Sequence, residues 1–222
     1  MEIKNVWAVI PAYNEQNNIS KIVKKTKKCV DNVIVVDDGS KDKTKEVAEN
    51  AGTIVLRHVI NLGKGATLKT GCDFAFKNYA KFIVVLDADA QHDPDDIPRF
   101  LEKLEKYDIV FGYRRMSKKM PPVLRFGNWF ISNTVKVLYG ISLRDTQCGF
   151  RAFSKEAYTK VRWNATDYSM ESEMISRAGK QKLKYVQIPI QTIYSDKYKG
   201  TTIIDGIKIV LNMVWWKLFN SR

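Results

Sequence analysis

The chain has 222 residues, 45% of them hydrophobic and 27% charged, which excludes a disordered chain and fits one domain. Twelve glycines and six prolines exclude a collagen-like or low-complexity sequence. Its 37 Lys and Arg against 24 Asp and Glu leave a formal charge of +13, which points to an anionic partner: nucleic acid, an anionic membrane or a phosphorylated substrate.

In chain order, residues 6–10, 33–36, 53–56, 82–86 and 108–112 read as strands, being short runs rich in Val, Ile and Phe between turn residues. Residues 17–28, 41–51, 64–80 and 93–106 read as helices between them. Alternation of helices with near-continuous apolar strands predicts a parallel α/β sheet covered on both faces. Beyond residue 115 the texture changes. A basic run, Arg114, Arg115, Lys118 and Lys119, ends at Pro121-Pro122. A helix over 124–139 follows, with Leu124, Ile131, Val135 and Leu138 at helical spacing, then a loop over 140–149. A helix over 171–180, a strand over 185–193 and a last helix over 205–219 complete the prediction.

No secretory signal is read at the start, where Pro11, Asn14 and Glu15 interrupt the first apolar run. No stretch approaches the ~18–20 apolar residues of a spanning helix. Cys29, Cys72 and Cys148 lie far apart without a CxxC pair, which suits a reducing compartment. His58 and His92 do not complete a zinc cluster with them at this spacing.

In a sheet of this kind ligands bind at the carboxyl ends of the strands, and the chemically dense loops fall there. Asp87-Ala88-Asp89 follows the fourth strand. Two carboxylates one residue apart can approach one Mg²⁺ or Mn²⁺ ion, with Gln91 as a further oxygen ligand. Asp93, before Pro94, reads as a helix N-cap. Asp37-Asp38-Gly39-Ser40 ends the second strand, and one of its aspartates can accept from a nucleobase or ribose; it also has the composition of an ordinary turn. Pro11-Ala12-Tyr13-Asn14-Glu15 can set Tyr13 against a base and Glu15 near a ribose hydroxyl. Asn61-Leu62-Gly63-Lys64-Gly65 opens a helix whose backbone amides suit an anion, although no P-loop is present.

Taken in order, PAYNE, VVDDGSKDKT, NLGKG, DADAQHDPDDI and DTQCGFRAF resemble glycosyltransferase family 2, and within it the dolichol- and polyprenyl-phosphate sugar synthases. The resemblance implies a GT-A type Rossmann-like nucleotide-sugar fold, with a mostly parallel central sheet and amphipathic acceptor-side and C-terminal helices, formed as one unit over residues 1–222. Residues 1–115 would be its nucleotide-sugar and metal half and 116–222 its acceptor and membrane-facing half. It implies an inverting, metal-dependent transfer of a hexose from GDP-mannose or UDP-glucose to a dolichyl or polyprenyl phosphate. Pro11, Tyr13, Glu15, Asp37, Asp38, Lys64, Asp87, Ala88, Asp89 and Gln91 would bind the nucleotide sugar. Asp87, Asp89 and Gln91 would hold Mg²⁺ or Mn²⁺. Asp89, Arg114, Arg125, Asp145 and Arg151 would serve the reaction, Arg125 by meeting the lipid phosphate and Asp145, Gly149 and Arg151 from beside the sugar and acceptor. The mannose synthases tend to carry an arginine and Gly-x-Ser-Lys near the C-terminal end. Here Gly200 and Thr202 match loosely, with Lys197 and Lys199 nearby, and DTQCGF is closer to the glucose synthases. The resemblance also places a glutamate at Glu171 or Glu173.

A polyprenyl acceptor keeps its tail in a bilayer, so the resemblance implies a peripheral enzyme at the cytoplasmic, inner face of a membrane, alone or with a separate membrane partner. In the last helix Ile203, Ile207, Val210, Leu211, Val214 and Leu218 share one side, with Asp205, Lys208 and Asn212 opposite and Trp215, Trp216 and Phe219 near the end. That pattern suits a headgroup interface, and equally a packed helix or an oligomer contact. The alternatives are a family 2 enzyme acting on a glycan or another lipid, and a basic nucleic-acid-binding module. No nucleic-acid-binding motif supports the latter.

Overall fold

The computed structural model describes residues 4–114, 122–191 and 203–219. Seven strands form one sheet: β1 (Val6–Ala12), β2 (Asn32–Asp37), β3 (Ile54–Arg57), β4 (Phe82–Val85), β5 (Ile109–Arg114), β6 (Arg151–Ser154) and β7 (Tyr185–Ile190). Their spatial order is β3-β2-β1-β4-β6-β5-β7. All neighbours pair in parallel except at β6, which is antiparallel to both β4 and β5. The sheet is therefore mostly parallel, with one reversed strand near its middle that the sequence pattern did not predict.

The β1 strand shows why both faces are covered. Val6, Ala8, Ile10 and Ala12 enter one core, while Trp7 and Val9 enter the other, as the two-residue strand period requires. Helices α1 (Ile19–Thr26) and α4 (Ile97–Leu104) contribute to the first core. Helices α3 (Lys64–Lys77), α5 (Pro122–Tyr139), α6 (Lys155–Val161), α7 (Met170–Lys180) and α8 (Ile203–Phe219) contribute to the second. The α2 helix (Thr44–Asn50) sends Ala48 into the first core. Asp93 caps a 3-10 turn, Pro94–Asp96, through Asp95 N–H, which starts α4.

The reversed β6 strand matters for the site. Its first residue, Arg151, lies opposite Val85 of β4 and Phe111 of β5. The preceding loop, 140–150, is thereby brought to the carboxyl ends of β4 and β5, beside the loops that follow β1, β2 and β4.

The last helix divides its apolar residues between the core and the surface. Ile209 and Met213 are buried and Trp216 packs on the same core, while Leu211, Val214, Trp215 and Leu218 are exposed. Of the two facings the sequence left open, the structure shows parts of both: one stripe packs on the core and Leu211, Val214 and Leu218 face out. Tyr139 fixes the helix by donating to Met213 O at 2.6 Å. The side chains of Leu124, Ile203, Asp205 and Ile207 lie outside the described residues. No described helix is long and apolar enough to cross a membrane.

Candidate active site

A cavity of about 560 Å³ opens at the carboxyl edge of the sheet. Pro11 to Glu15 line it from β1, Asp38 from β2, Asn61, Gly63, Lys64 and Thr67 from the start of α3, Asp87 to Asp89 from β4, and Tyr168 from before α7. The first wall is stitched in place. Asn14 N–H donates to Ser40 Oγ, Lys41 N–H donates to Asn14 Oδ1, and Glu15 N–H donates to Thr44 Oγ1, all within 2.9 Å. Asn14 holds a positive φ of 55° there, a conformation asparagine tolerates.

Two amides of the Asn61–Gly65 turn are taken by Asp38. Leu62 N–H donates to Asp38 Oδ1 and Gly63 N–H to Asp38 Oδ2, each at 2.9 Å. His58 Nδ1 lies 2.7 Å from Asp38 Oδ1. The anion that satisfies this nest is the protein's own carboxylate, although Asp38 still lines the cavity. Asp37 is fully buried outside the lining, accepting from Ser40 N–H and facing Arg57 Nε at 3.3 Å. Gly63 has a φ of 92°, and a Cβ there would fall 2.5 Å from Thr166 O, so only glycine allows the segment before α7 to close on the α3 start.

Asp87 and Asp89 occupy the floor. Asp87 Oδ1 lies 2.7 Å from Lys64 Nζ. Burial works to raise the Asp87 pKa, but Lys64, joined by His92 and Arg114, holds it below the ordinary carboxylate value. Burial, reinforced by Asp87, pushes Asp89 up to about 6. Gln91 contributes its backbone N–H to Asp89 Oδ1 at 3.0 Å. His92 is buried and burial lowers its pKa to about 4, so it is neutral. Gly149 of the 140–150 loop abuts Asp87: a Cβ at 149 would lie 2.5 Å from Asp87 Oδ2.

The two carboxylates fit a divalent cation. They are partly buried side by side, and the raised Asp89 pKa records how poorly that spot tolerates a second negative charge without a counter-ion. The described residues offer no cluster of three or more His, Cys, Asp or Glu for a metal, so the remaining ligands would be substrate phosphates and water, the usual manner for Mg²⁺.

Arg114 ends β5 and forms a two-pronged pair with Asp145, Nε to Oδ2 at 2.7 Å and Nη2 to Oδ1 at 3.1 Å. Asp145 also accepts from Gln147 N–H. With both oxygens engaged, Asp145 fixes Arg114 rather than waiting for a proton. Burial would raise its pKa, but Arg114 lowers it. Arg114→Met is expected to leave this buried carboxylate unpaired and cost about 3–5 kcal/mol of stability at neutral pH. Urea denaturation checks this. The penalty should shrink as pH falls through the carboxylate range, where a protonated Asp145 no longer needs the cation.

Arg151 does not reach the cavity. It is 2% exposed, and its guanidinium donates to the carbonyls of Cys148, Thr146 and Glu171 at 2.9–3.0 Å. It fastens the 140–150 loop to the first turn of α7. Of the two glutamates left open by the sequence, Glu173 caps Asn164 and Ala165 N–H and pairs with Arg177. Glu171 reaches the site, 2.9 Å from Lys64 Nζ.

A second cavity of about 640 Å³, lined in part by Arg114, lies between α5 and the 140–144 segment. Its lining includes Arg114, Trp129, Ser132, Lys136 and Arg144 and no carboxylate. Arg144 is held over the Tyr113 ring at 5.0 Å and donates to its hydroxyl at 3.0 Å. Arg125 is exposed on α5 and is not part of this lining. Sequence reading missed Lys136, Arg144, Thr67 and Tyr168. Thr67, one turn after Lys64, and Lys136, between core positions of α5, carried a helical-spacing signal; Tyr168 and Arg144 carried none. Arg115, Lys118, Lys119, Lys197, Lys199, Gly200 and Thr202 lie outside the described residues.

The sequence signature of glycosyl transferase family 2 matches residues 7–162. An uncharacterized protein of Methanocaldococcus jannaschii is 39% identical, over 96% of this chain and 93% of its own length. The UDP-N-acetylglucosamine–dolichyl-phosphate N-acetylglucosaminyltransferase of Methanococcus voltae is 34% identical over 98% of both chains. Among solved structures, glucosyl-3-phosphoglycerate synthase of Mycobacterium tuberculosis, in complex with Mg²⁺ and uridine diphosphate, superposes with a TM-score of 0.76. It covers 95% of this chain and 79% of that one at 19% identity, a likeness of fold.

Proposed function

Because the chain belongs to glycosyltransferase family 2, we propose that it moves a sugar from a nucleoside diphosphate to a polyprenyl phosphate at a membrane surface, with inversion at the anomeric carbon. The observation that carries this reading is a pair of cavities of opposite charge, with Arg114 lining the second and helping to hold down the pKa of Asp87 in the first. One has Glu15, Asp38, Asp87 and Asp89 on its wall with one cation, Lys64, among its described lining. The other has Arg114, Lys136 and Arg144 and no carboxylate. A donor that brings a divalent cation suits the first, and a phosphate monoester suits the second. The relative from Methanococcus voltae favours a uridine-diphosphate sugar as donor and a dolichyl phosphate as acceptor.

The chemistry follows from charge. A phosphate monoester is already anionic at neutral pH, so the attacking oxygen needs no strong base. Donor and acceptor phosphates repel each other, and the site must offset that repulsion. Lys64 would face the donor diphosphate, and Arg114, fixed by Asp145, would stand between the two phosphates. Lys136 and Arg144 would hold the acceptor phosphate, and Tyr13, 41% exposed at the cavity mouth, would stack on the base. Asp87 and Asp89 would hold Mg²⁺ or Mn²⁺, which supplies Lewis-acid neutralisation of the leaving diphosphate. Attack opposite the leaving group gives a β-linked product from an α-linked donor, and positioning carries much of the rate.

Trp129 lines the second cavity and is exposed on α5, as is Phe130, and Leu211, Val214 and Leu218 are exposed on α8, which packs against α5. Lys208 and Lys217 also lie on α8. Together these side chains would form a face that rests on the bilayer, bringing the cavity to the acceptor headgroup. Leu211→Glu with Leu218→Glu is expected to weaken co-sedimentation with anionic vesicles by roughly tenfold or more, without lowering the melting temperature. Unchanged sedimentation would sink the assignment of this face.

The acceptor is tested by comparing polyprenyl phosphate, the matching polyprenol and diacylglycerol in one detergent. Transfer to the phosphate alone is expected. Transfer to diacylglycerol, or to polyprenol as readily as to its phosphate, would remove the role given to Lys136 and Arg144.

A further inference from the structure

Lys64 is the one cation among the described lining of the donor cavity, and its charge is already in use. Its Nζ lies 2.7 Å from Asp87 Oδ1 and 2.9 Å from Glu171 Oε1. The Tyr168 ring lies 5.7 Å from the same ammonium. Burial alone would lower the Lys64 pKa, but Asp87 and Glu171 together hold it well above the usual value. Lys64 is thus seated on a carboxylate that a divalent ion would also need.

Glu171 is the unusual member of this trio. It is 3% exposed, and its second oxygen, Oε2, is buried without a hydrogen-bond partner. A half-satisfied buried carboxylate costs stability unless a nearby cation compensates it. Its position is fixed from both sides. Arg151 grips the Glu171 carbonyl at 3.0 Å. The α3 start is clamped to the segment before α7 by Ala66 N–H to Thr166 O and by Trp163 Nε1 to Gly65 O. The ammonium and the spare carboxylate oxygen are thus held within reach by rigid backbone.

Building on the donor-site reading above, we propose that Glu171 is a positioning residue that lets Lys64 release Asp87. With the cleft empty, Lys64 fills the cation position at Asp87 and neutralises it. When a divalent ion takes Asp87 and Asp89, Lys64 is repelled from the metal. Glu171, with its unused oxygen, keeps the ammonium in the cleft, where it can meet the donor diphosphate. Without Glu171, Lys64 has Asp87 as its one carboxylate and competes with the metal more strongly.

The test is Mn²⁺ binding to the protein alone, followed by electron paramagnetic resonance of the free ion, in wild type, Lys64→Gln, Glu171→Gln and the double variant. Both substitutions are close in size, and circular dichroism selects folded protein. Lys64→Gln should tighten Mn²⁺ binding by about tenfold, since a charged hydrogen bond no longer competes for Asp87. Glu171→Gln should weaken it several-fold. In the Lys64→Gln background, Glu171→Gln should change affinity by less than about twofold, because Glu171 acts through the lysine. An equal loss with and without Lys64 would overturn the proposal by showing that Glu171 acts through its own field. No effect of Glu171→Gln in folded protein would also overturn it. Failure of wild type and Lys64→Gln alike to bind Mn²⁺ would overturn the metal assignment along with this proposal, whereas the two preceding outcomes overturn this proposal alone. Should Glu171→Gln not fold, Glu171→Asp, whose shorter carboxylate falls short of Lys64, is expected to weaken Mn²⁺ binding in the same direction, and unchanged binding would contradict the proposal.

Discussion

Asp89→Ala is expected to lower sugar transfer by on the order of 10²–10³-fold, the scale seen when one group that stabilises transition-state charge is removed. The same variant is expected to be more stable than wild type in metal-free buffer at pH 7. The sign follows from linkage. Asp89 has a folded pKa of about 6, raised by burial and by Asp87. The folded chain therefore holds this proton more tightly than the unfolded chain. Its ionisation costs stability above that range, and the cost vanishes as pH falls through 6 towards 4. Alanine removes the cost, so the gain in melting temperature should fade over the same window. A variant that is inactive yet more stable would mark a group kept for chemistry rather than for the fold. Calorimetric melting at several pH values, beside a transfer assay, checks both halves. Loss of stability at pH 7 would show that Asp89 serves the structure.

Gly149→Ala is expected to lower turnover by about 100-fold, the scale of a small misplacement of a reacting group, while the chain still folds. The added Cβ would come within 2.5 Å of Asp87 Oδ2 and 2.9 Å of its other carboxylate oxygen. The atoms it meets belong to the end of a side chain, so the carboxylate moves and the backbone survives. Asp87 is also one of the two anchors of Lys64, so the shift disturbs two parts of the cleft at once. Weakened Mn²⁺ binding together with an unchanged urea midpoint is the expected signature. An unchanged turnover would mean that Asp87 tolerates displacement and is not held by this contact.

The parts of the molecule that were legible in advance are those with local signals. Strands β1 to β5 are continuous apolar runs, and helices α1 to α4 follow them with clear periodicity. The carboxylates of Asp87 and Asp89, weak as a signal by spacing alone, stood out through the ordered motifs around them, and both line the first cavity. The β6 strand was not legible because it has four residues, begins with an arginine and follows a loop. What makes it a strand is the gap between β4 and β5, a tertiary fact. The short α6 helix did carry a signal, since Ser154 Oγ accepts from Ala157 N–H as an N-cap. The facing of α8 was left open because Trp215, Trp216 and Leu218 make it apolar around nearly its whole circumference, which leaves periodicity little to choose between.

Site residues divide in the same way. Asp38 was read as a ligand-facing carboxylate from its loop. The structure shows that its oxygens also hold the Leu62 and Gly63 amides, a contact between β2 and α3 that no local pattern reports. Arg151 sits in a motif that draws attention to it, yet its three nitrogens go to backbone carbonyls. The motif here preserves the shape of a loop. Glu171 and Glu173 are two residues apart on one helix, and sequence gave no basis for choosing between them. The helix turns Glu171 toward Lys64 and Glu173 toward the amides of Asn164 and Ala165.

The most direct test of the central claim is label transfer into the organic phase. Purified chain, Mn²⁺ or Mg²⁺ and a polyprenyl phosphate in detergent would be mixed in turn with labelled UDP-N-acetylglucosamine, UDP-glucose and GDP-mannose. Extractable label is expected from one uridine-linked donor, lost on chelation of the metal and lost in Asp89→Ala. Label that persists equally in Asp89→Ala and in chelator, or no extractable label from any donor with the folded protein, would contradict the claim.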